Sequence, residues 1–523
     1  MTPLSGTDAH WTAAAIAEDV RSGRRSAVEV IDEALDRIAG ANGALNAFCE
    51  VRPGTARVAA AALDAQIAAG EDLDPTHLPL AGVPVAVKDV IWEAGIEATD
   101  GSRSLLGFVP HENATVVQRL IAAGAIVVGR VNAPEFCYRG ICANDLYGVT
   151  SNPWDLGRTP GGSSGGSGAA VAAGLVPLAI GTDGGGSIRI PSSFCGVAGF
   201  KATFGVVPRE PQWPGWLTLT HVGPMAFTVE DCALMLSVMA GPDLRDPMSL
   251  PVLPRDPRAL DRSDLRGLRV AYSEDLGYVP VDDGVRRAFR AAVERFAALG
   301  AELVAAQPAP FSPNPVDIWN TLTTTDNLAS EGPLLETGRV GLDARGLIEP
   351  GAEVSGLEYV RMRNAQWEYA CAWGRFMMDY DLLLTPTMEC VAFEHGRTGP
   401  ATVGGQPIGE FYDDFCHFCY PFNLTGQPAI SVPMGTAEHD MPVGLQIVGR
   451  RFEDDLVLAA GAAWERLGGW PRAPREERPP LESEASATAG ERIRLGGEMA
   501  EIRRVFSPQD GERVVEYEGG PRT

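Results

Sequence analysis

Lysine is almost missing from this chain. Of 43 basic residues among 523, 41 are arginine, and the two lysines are Lys88 and Lys201. Arginine cannot be deprotonated in a protein, whereas a desolvated lysine can serve as an uncharged base, so each lysine here is informative. Positive charge is scarce as a whole: 68 acidic residues leave a formal net charge of −25, which repels phosphate backbones and argues against a nucleic-acid partner. No uninterrupted apolar run reaches about 18 residues. The opening MTPLSGTDAHW also lacks a charged segment leading into an apolar one, so no membrane partner and a cytoplasmic location are expected. Nine cysteines, odd in number and sparse, fit reduced thiols rather than a disulfide framework. Cys416-His417-Phe418-Cys419 has zinc-like spacing, but no second pair completes four ligands, so the reading is pocket or core residues and no metal.

What the chain does contain is ordinary for a folded α/β protein, with 45% hydrophobic and 21% charged residues. Ser26-Ala27-Val28-Glu29 reads as a capping box ahead of an apolar periodicity reaching about Ile38, and the alanine-rich stretch 58–69 reads as a further helix. From Leu80 onward, short apolar runs at 83–87, 125–128 and 176–180 alternate with helical or glycine-rich stretches, the rhythm of a mixed sheet. A Pro- and Asp-rich connection at 242–261 precedes a strand at 268–272 and a helix at 283–299 closed by Gly300. The stretch 314–373 reads mostly helical, and 382–386 and 429–433 read as buried strands returning to the sheet. One interleaved domain over 1–470 is expected, followed at 471–523 by a linker and a small β appendage. A tail without fixed structure is the equal alternative on composition.

Two glycine-serine loops flank one alanine-rich helical stretch: Gly161-Gly162-Ser163-Ser164-Gly165-Gly166-Ser167 and Gly181-Thr182-Asp183-Gly184-Gly185-Gly186-Ser187. Consecutive glycines let backbone N–H groups converge, as an oxyanion site requires during acyl transfer, where one lost donor costs about 3–4 kcal/mol. A phosphate cradle fits poorly, because neither loop carries the Lys-Ser/Thr or the GxGxxG-plus-acid pattern. Gly161 to Gly165 also satisfies G-x-S-x-G, the nucleophile elbow of α/β-hydrolases. The residues before it, Asn152 to Pro160, are turn-forming and hold two prolines where the elbow needs an apolar strand. A Ser-His-Asp triad would draw its histidine from His221, His395, His417 or His439, none in a distinctive setting.

Lys88 ends the apolar run Gly82-Val83-Pro84-Val85-Ala86-Val87, where an unpaired ammonium would be costly to bury. It is the candidate base; pairing with Asp89 or another carboxylate is the competing reading. Lys201 sits in a turn-like setting and reads as structural. Asp183 and Arg189 bracket Ser187 and form a candidate ion pair that fixes the loop.

GGSSGGSGAAVAAGLVPLAIGTDGGGSIRIPSSFCGVAGFKAT resembles the signature region of the amidase signature family. The likeness extends to AGVPVAVKDV, GRVNAPEF, TSNPWDLGRTPGGSSGGS, HVGPMAFTVEDCALML, LLLTPT, NLTGQPAISVP and PVGLQIVGRRFEDD, from about Thr12 to Gly469. The resemblance implies a large twisted mixed β-sheet covered by helices on both faces, with a signature core at about 80–240 and a more variable substrate side at about 250–420. It implies a Ser-cisSer-Lys triad falling on Ser187 as nucleophile, Ser163 as bridging serine after a cis peptide, and Lys88 as base. Backbone N–H groups of Gly184, Gly185, Gly186 and Ser187 would form the oxyanion hole, and no cofactor or metal is implied. The chain departs from the family pattern at Gly184-Gly185-Gly186, where a bulkier residue is common before the last two glycines, and at Phe227, where arginine is common.

The expected activity is hydrolysis of small-molecule carboxylic amides, with esters and carbamates open to the same nucleophile. Relatives resembling the A-type component of glutaminyl-tRNA amidotransferase work with partner chains, but NLTGQPAISVP looks more like the stand-alone amidases; a homodimer is among the expected assemblies. Tyr138, Trp213, Trp216 and Cys419, with the stretch 411–422, are expected to line an aromatic pocket for an apolar or aryl substrate.

Overall fold

The apolar runs become strands of one sheet. The computed structural model describes residues 10–70, 76–212, 215–252, 264–408 and 415–468, with the backbone of 491–495, 498–504 and 515–517. In chain order the strands are β1 (Phe48–Val51), β2 (Pro84–Lys88), β3 (Ile126–Val131), a separate short pair β4 (Ala143–Asn144) and β5 (Gly148–Val149), β6 (Leu178–Asp183), β7 (Ala198–Lys201) and β8 (His221–Ala226). There follow β9 (Arg269–Tyr272), β10 (Glu302–Ala305), β11 (Leu382–Pro386), a second separate pair β12 (Thr402–Val403) and β13 (Gln406–Pro407), β14 (Ala429–Thr436) and β15 (Pro442–Gly449). Eleven of them form the main sheet in the order β1-β3-β2-β6-β8-β7-β14-β15-β11-β9-β10. β2 is parallel to β3 and β6, and β9 is parallel to β10 and β11; the other pairs are antiparallel, so the sheet is mixed. Beyond it, 491–495, 498–504 and 515–517 pair as a three-stranded antiparallel sheet.

The helices lie on both faces. Gly444 and Gly449 of β15 point opposite ways, as an odd spacing along a strand requires. The first meets Ser193 of the Arg189–Cys195 helix and the second Val457 of the Asp454–Arg466 helix. The capping box is formed, with Ser26 Oγ accepting from Glu29 N–H and the Glu29 carboxylate accepting from Ser26 N–H. That helix runs Ala27–Leu45, seven residues beyond the legible periodicity, because Ala41 and Leu45 continue its buried face. The alanine-rich helix starts at Pro53, ahead of the alanines, since proline at its start needs no N–H partner. Asp283–Phe296 is helical and tightens to a 3-10 turn at Ala297–Leu299 before Gly300, whose φ of 84° ends it. Among the described residues no helix is long and apolar enough to cross a membrane, and all nine cysteines are free thiols.

Parallel pairing places the carboxyl ends of β2 and β6 side by side, with Val85 opposite Leu178 and Ala86 opposite Ala179. Lys88 and Asp183 therefore emerge at the same edge, the usual place for a site in a sheet with parallel strands. One buried ion pair ties this edge to distant chain. Arg189 reaches Asp183 through Nε and Nη2, both at 2.9 Å, and also the Cys419 carbonyl, Asn423 Oδ1 and Gln446 Oε1. Burial alone would raise the Asp183 carboxyl, but the Arg189 guanidinium outweighs it and holds the group well below the usual carboxylate range. The expected pair is thus a buried network rather than a surface one.

Asp183→Asn leaves the Arg189 charge buried without its carboxylate. A loss of about 3–5 kcal/mol is expected, read from the urea unfolding midpoint. Glu465 is a second test: burial pushes its carboxyl up to about 8, with Asp231 adding in the same direction, although Val229 N–H opposes the rise. A carboxyl raised in the folded state stabilises below its unfolded value of about 4.5 and loses that contribution as pH rises through about 8. Glu465→Gln should flatten this fall in unfolding midpoint between those pH values, measured against the parent protein.

Candidate active site

Lys88 is fully buried, and its amine is surrounded by hydroxyls: Nζ lies 2.6 Å from Ser163 Oγ, 2.7 Å from Thr182 Oγ1 and 3.1 Å from Ser164 Oγ. Among the described residues it makes no ion pair. The neighbouring Asp89 is taken instead by Arg130 Nε at 3.0 Å, the Thr99 hydroxyl at 2.6 Å and Gly101 N–H at 3.0 Å. The competing reading, a lysine paired with Asp89, is therefore absent.

Ser163 follows a cis peptide at Gly162. Only glycine fits at 162, since a Cβ there would stand 2.1 Å from the Ile141 carbonyl oxygen. Ser164 then starts the Gly165–Ala172 helix; its N–H donates to the Ser187 carbonyl at 3.1 Å and its Oγ to the Thr182 carbonyl, also at 3.1 Å. These bonds tie the two glycine-serine loops together. Ser187 is partly exposed, and its hydroxyl has no hydrogen-bond partner among the described residues.

The four backbone N–H groups expected as oxyanion donors divide. Gly186 N–H is committed to Asp183 Oδ1 at 2.8 Å, so it braces the loop. Those of Gly184, Gly185 and Ser187 have no protein partner among the described residues. Indole rings lie against this loop: a Cβ on Gly184 would stand 2.4 Å from the Trp216 ring and one on Gly185 2.8 Å from the Trp319 ring. The bulkier residue common in relatives has no room here.

Of the aromatic residues expected near the site, Tyr138 stacks on Trp216 with centroids 5.9 Å apart, and Trp216 meets Trp319 edge-on at 5.2 Å. The Tyr138 hydroxyl bonds to Glu331, whose carboxyl is pushed up to about 8 mainly by burial. Cys419 is fully buried beneath the loop, where a Cβ on Gly186 would stand 2.6 Å from its own, and its Sγ faces the Thr387 carbonyl at 3.4 Å. It packs the loop rather than opening onto a pocket. Trp213 and 411–414 lie outside the described residues.

Histidine chemistry finds no support. His221 is buried, with Nδ1 2.7 Å from the Leu219 carbonyl and Nε2 3.3 Å from Lys201 Nζ, and burial holds it well below its ordinary value. His395 meets the Leu156 carbonyl and Ser151, His417 meets Glu389, and His439 lies in a left-handed turn. Lys201 ends strand β7 rather than a turn, and its amine bonds to the Gln427 and Ala202 carbonyls, a structural role.

Thr182, Ser164 and Trp319 are neighbours of the site that sequence reasoning misses. The first two stand inside the glycine-serine motifs, where hydroxyls converging on the rare lysine are the available signal. Trp319 comes from the Pro315–Glu331 helix, whose sequence carries no motif pointing to the loop.

The amidase family's sequence profile matches residues 29–458. An acylamidase of Rhodococcus erythropolis is 37% identical over 469 residues, covering 88% of this chain and 96% of its own. The A-type component of glutamyl-tRNA(Gln) amidotransferase from Chloroflexus aurantiacus is also 37% identical, over 495 residues, covering 88% of this chain and 97% of its own. Among solved structures, a bacterial aryl acylamidase of the amidase signature family superposes with a TM-score of 0.81 at 31% identity, covering 88% of this chain and 97% of that one. With that match over most of its length, and with an eleven-stranded sheet carrying the glycine-serine loops at one edge, the chain belongs to the amidase signature family and is an amide-hydrolysing enzyme.

Proposed function

We propose that the protein is a stand-alone acylamidase in which Ser187 is the nucleophile, Ser163 the bridging serine and Lys88 the base. One observation carries the reading: the buried amine of Lys88 has three hydroxyl neighbours and, among the described residues, no ion pair. An uncharged amine in that setting can accept a proton, which a salt-bridged ammonium cannot. Ser187 Oγ attacks the carbonyl carbon while its proton passes to Ser163, whose own proton passes to Lys88. The carbonyl oxygen gains negative charge facing the N–H groups of Gly184, Gly185 and Ser187. The proton then returns through Ser163 to the leaving nitrogen, the C–N bond breaks, and an acyl ester on Ser187 remains. Water hydrolyses that ester by the same route in reverse.

Tyr138, Trp216 and Trp319 favour an apolar or aryl group beside the loop, and the likeness to an acylamidase and an aryl acylamidase agrees with it. Esters and carbamates present the same carbonyl and are included in the proposed range. The equal likeness to an amidotransferase component supports a second reading, in which activity needs partner chains.

Ser187→Ala and Lys88→Ala should abolish hydrolysis of an anilide, and Ser163→Ala should lower turnover by orders of magnitude with the fold intact by circular dichroism. Wild-type rates in the Lys88 variant would remove the proposed base. A fluorophosphonate probe with peptide mapping should label Ser187 in the purified chain. A panel of aliphatic amides, anilides, carbamates and esters should show turnover by the chain alone, with anilides preferred; inactivity on all of them would favour the amidotransferase reading.

A further inference from the structure

Among the described residues Lys88 makes no ion pair, and the carboxylate next to it in sequence is bound by Arg130. We propose that Arg130 is a positioning residue for the hydrolysis: it binds and neutralises the Asp89 carboxylate, so that the Lys88 amine keeps its hydroxyl neighbours with no free carboxylate charge beside its strand. This rests on Lys88 being the base.

Arg130 and Asp89 are each 1% exposed. Arg130 lies on β3, which runs parallel beside β2, and is reached one position before the register partner of Lys88, Val131. Its guanidinium bonds four groups at once: Asp89 Oδ1 at 3.0 Å, the Asp89 carbonyl, the Ile91 carbonyl at 3.1 Å and Glu93 Oε1 at 3.1 Å. The other Asp89 oxygen accepts from Thr99 and Gly101. Glu93 Oε2 is taken by Arg52 at 2.6 Å. Two guanidiniums and two carboxylates thus close on themselves with no net charge, and both Asp89 oxygens are occupied. A lysine at 130 could not span this set, since it lacks the planar fork.

On the other sides of Lys88, Asp100 is an acid that interacts with it. Ser163, Ser164 and Thr182 are neutral. Burial, with Asp89 adding to it, pushes the Asp100 carboxyl up to about 7; burial also pushes the Cys142 thiol up to about 11 and raises the Cys137 thiol. Asp183 is neutralised by Arg189. Asp89 is the carboxylate that Arg130 holds. Freed from Arg130 in a region with little water, it would draw a proton onto the Lys88 amine, and a charged amine cannot take the Ser163 proton.

The test is the pH profile of kcat/KM on an anilide, using the full chain. In Arg130→Gln the acidic limb should move up by about one pH unit or more, with kcat at pH 7 down about tenfold and KM within about twofold. Adding Asp89→Asn to Arg130→Gln should bring the limb back, which a purely structural role would not do. A limb that stays in place in well-folded Arg130→Gln, or one that moves and is not restored by Asp89→Asn, overturns the proposal. If Arg130→Gln does not fold, Asp89→Asn alone decides: with the guanidinium no longer neutralised, the limb should move to lower pH, and a limb that stays or rises overturns it. Failure of the base itself is read separately, as wild-type activity in Lys88→Ala.

Discussion

The structure turns on one buried amine. The Lys88 side chain is taken wholly out of water, and among the described residues its amine meets three hydroxyls and makes no ion pair. That choice of neighbours is made by the fold around it. The strand carrying Lys88 lies between two parallel neighbours: one presents Thr182 beside the amine, and the other presents the guanidinium that binds Asp89.

The second constraint is the fully buried pair of Asp183 and Arg189. Asp183 ends β6 and receives the N–H groups of Gly186 and Ile188, so the turn holding Ser187 is shaped by a carboxylate at its base. Arg189 opens the following helix and reaches residues more than two hundred positions away in sequence. The turn is thereby braced by Asp183, while the N–H groups of Gly184, Gly185 and Ser187 have no protein partner among the described residues. In the proposed reaction, donors braced in this way would stabilise developing charge without reorganising when it forms.

Much of this is legible in the sequence because the relevant residues are rare or clustered. Two lysines among 43 basic residues single out Lys88, and the glycine-serine loops name themselves by composition. The mixed sheet follows from short apolar runs, and the capping box at Ser26 from its spacing. What cannot be read is what depends on residues far apart meeting. Nothing near Gly186 says that its N–H turns to Asp183, and nothing in the Pro315–Glu331 helix says that Trp319 lies on Gly185. Strand β1 escapes notice because Phe48–Val51 is four residues long and three of them are only partly buried, so it has no strong apolar pattern. Lys201 reads as part of a turn because Gly199 and the following Ala202-Thr203 resemble one, whereas Ala198–Lys201 pairs with β8 and β14.

The indoles over the glycine loop come from segments separate from those that supply the hydroxyls and the amine. Trp216 lies in a connection and Trp319 on a helix, both outside the sheet that carries Lys88 and Thr182. Mutational drift in those outer segments can reshape the space over the glycine loop while leaving the inner hydroxyl cluster untouched. The fold is in this sense modular, and on the proposed reading new substrates would become accessible by replacing walls around an unchanged chemical centre.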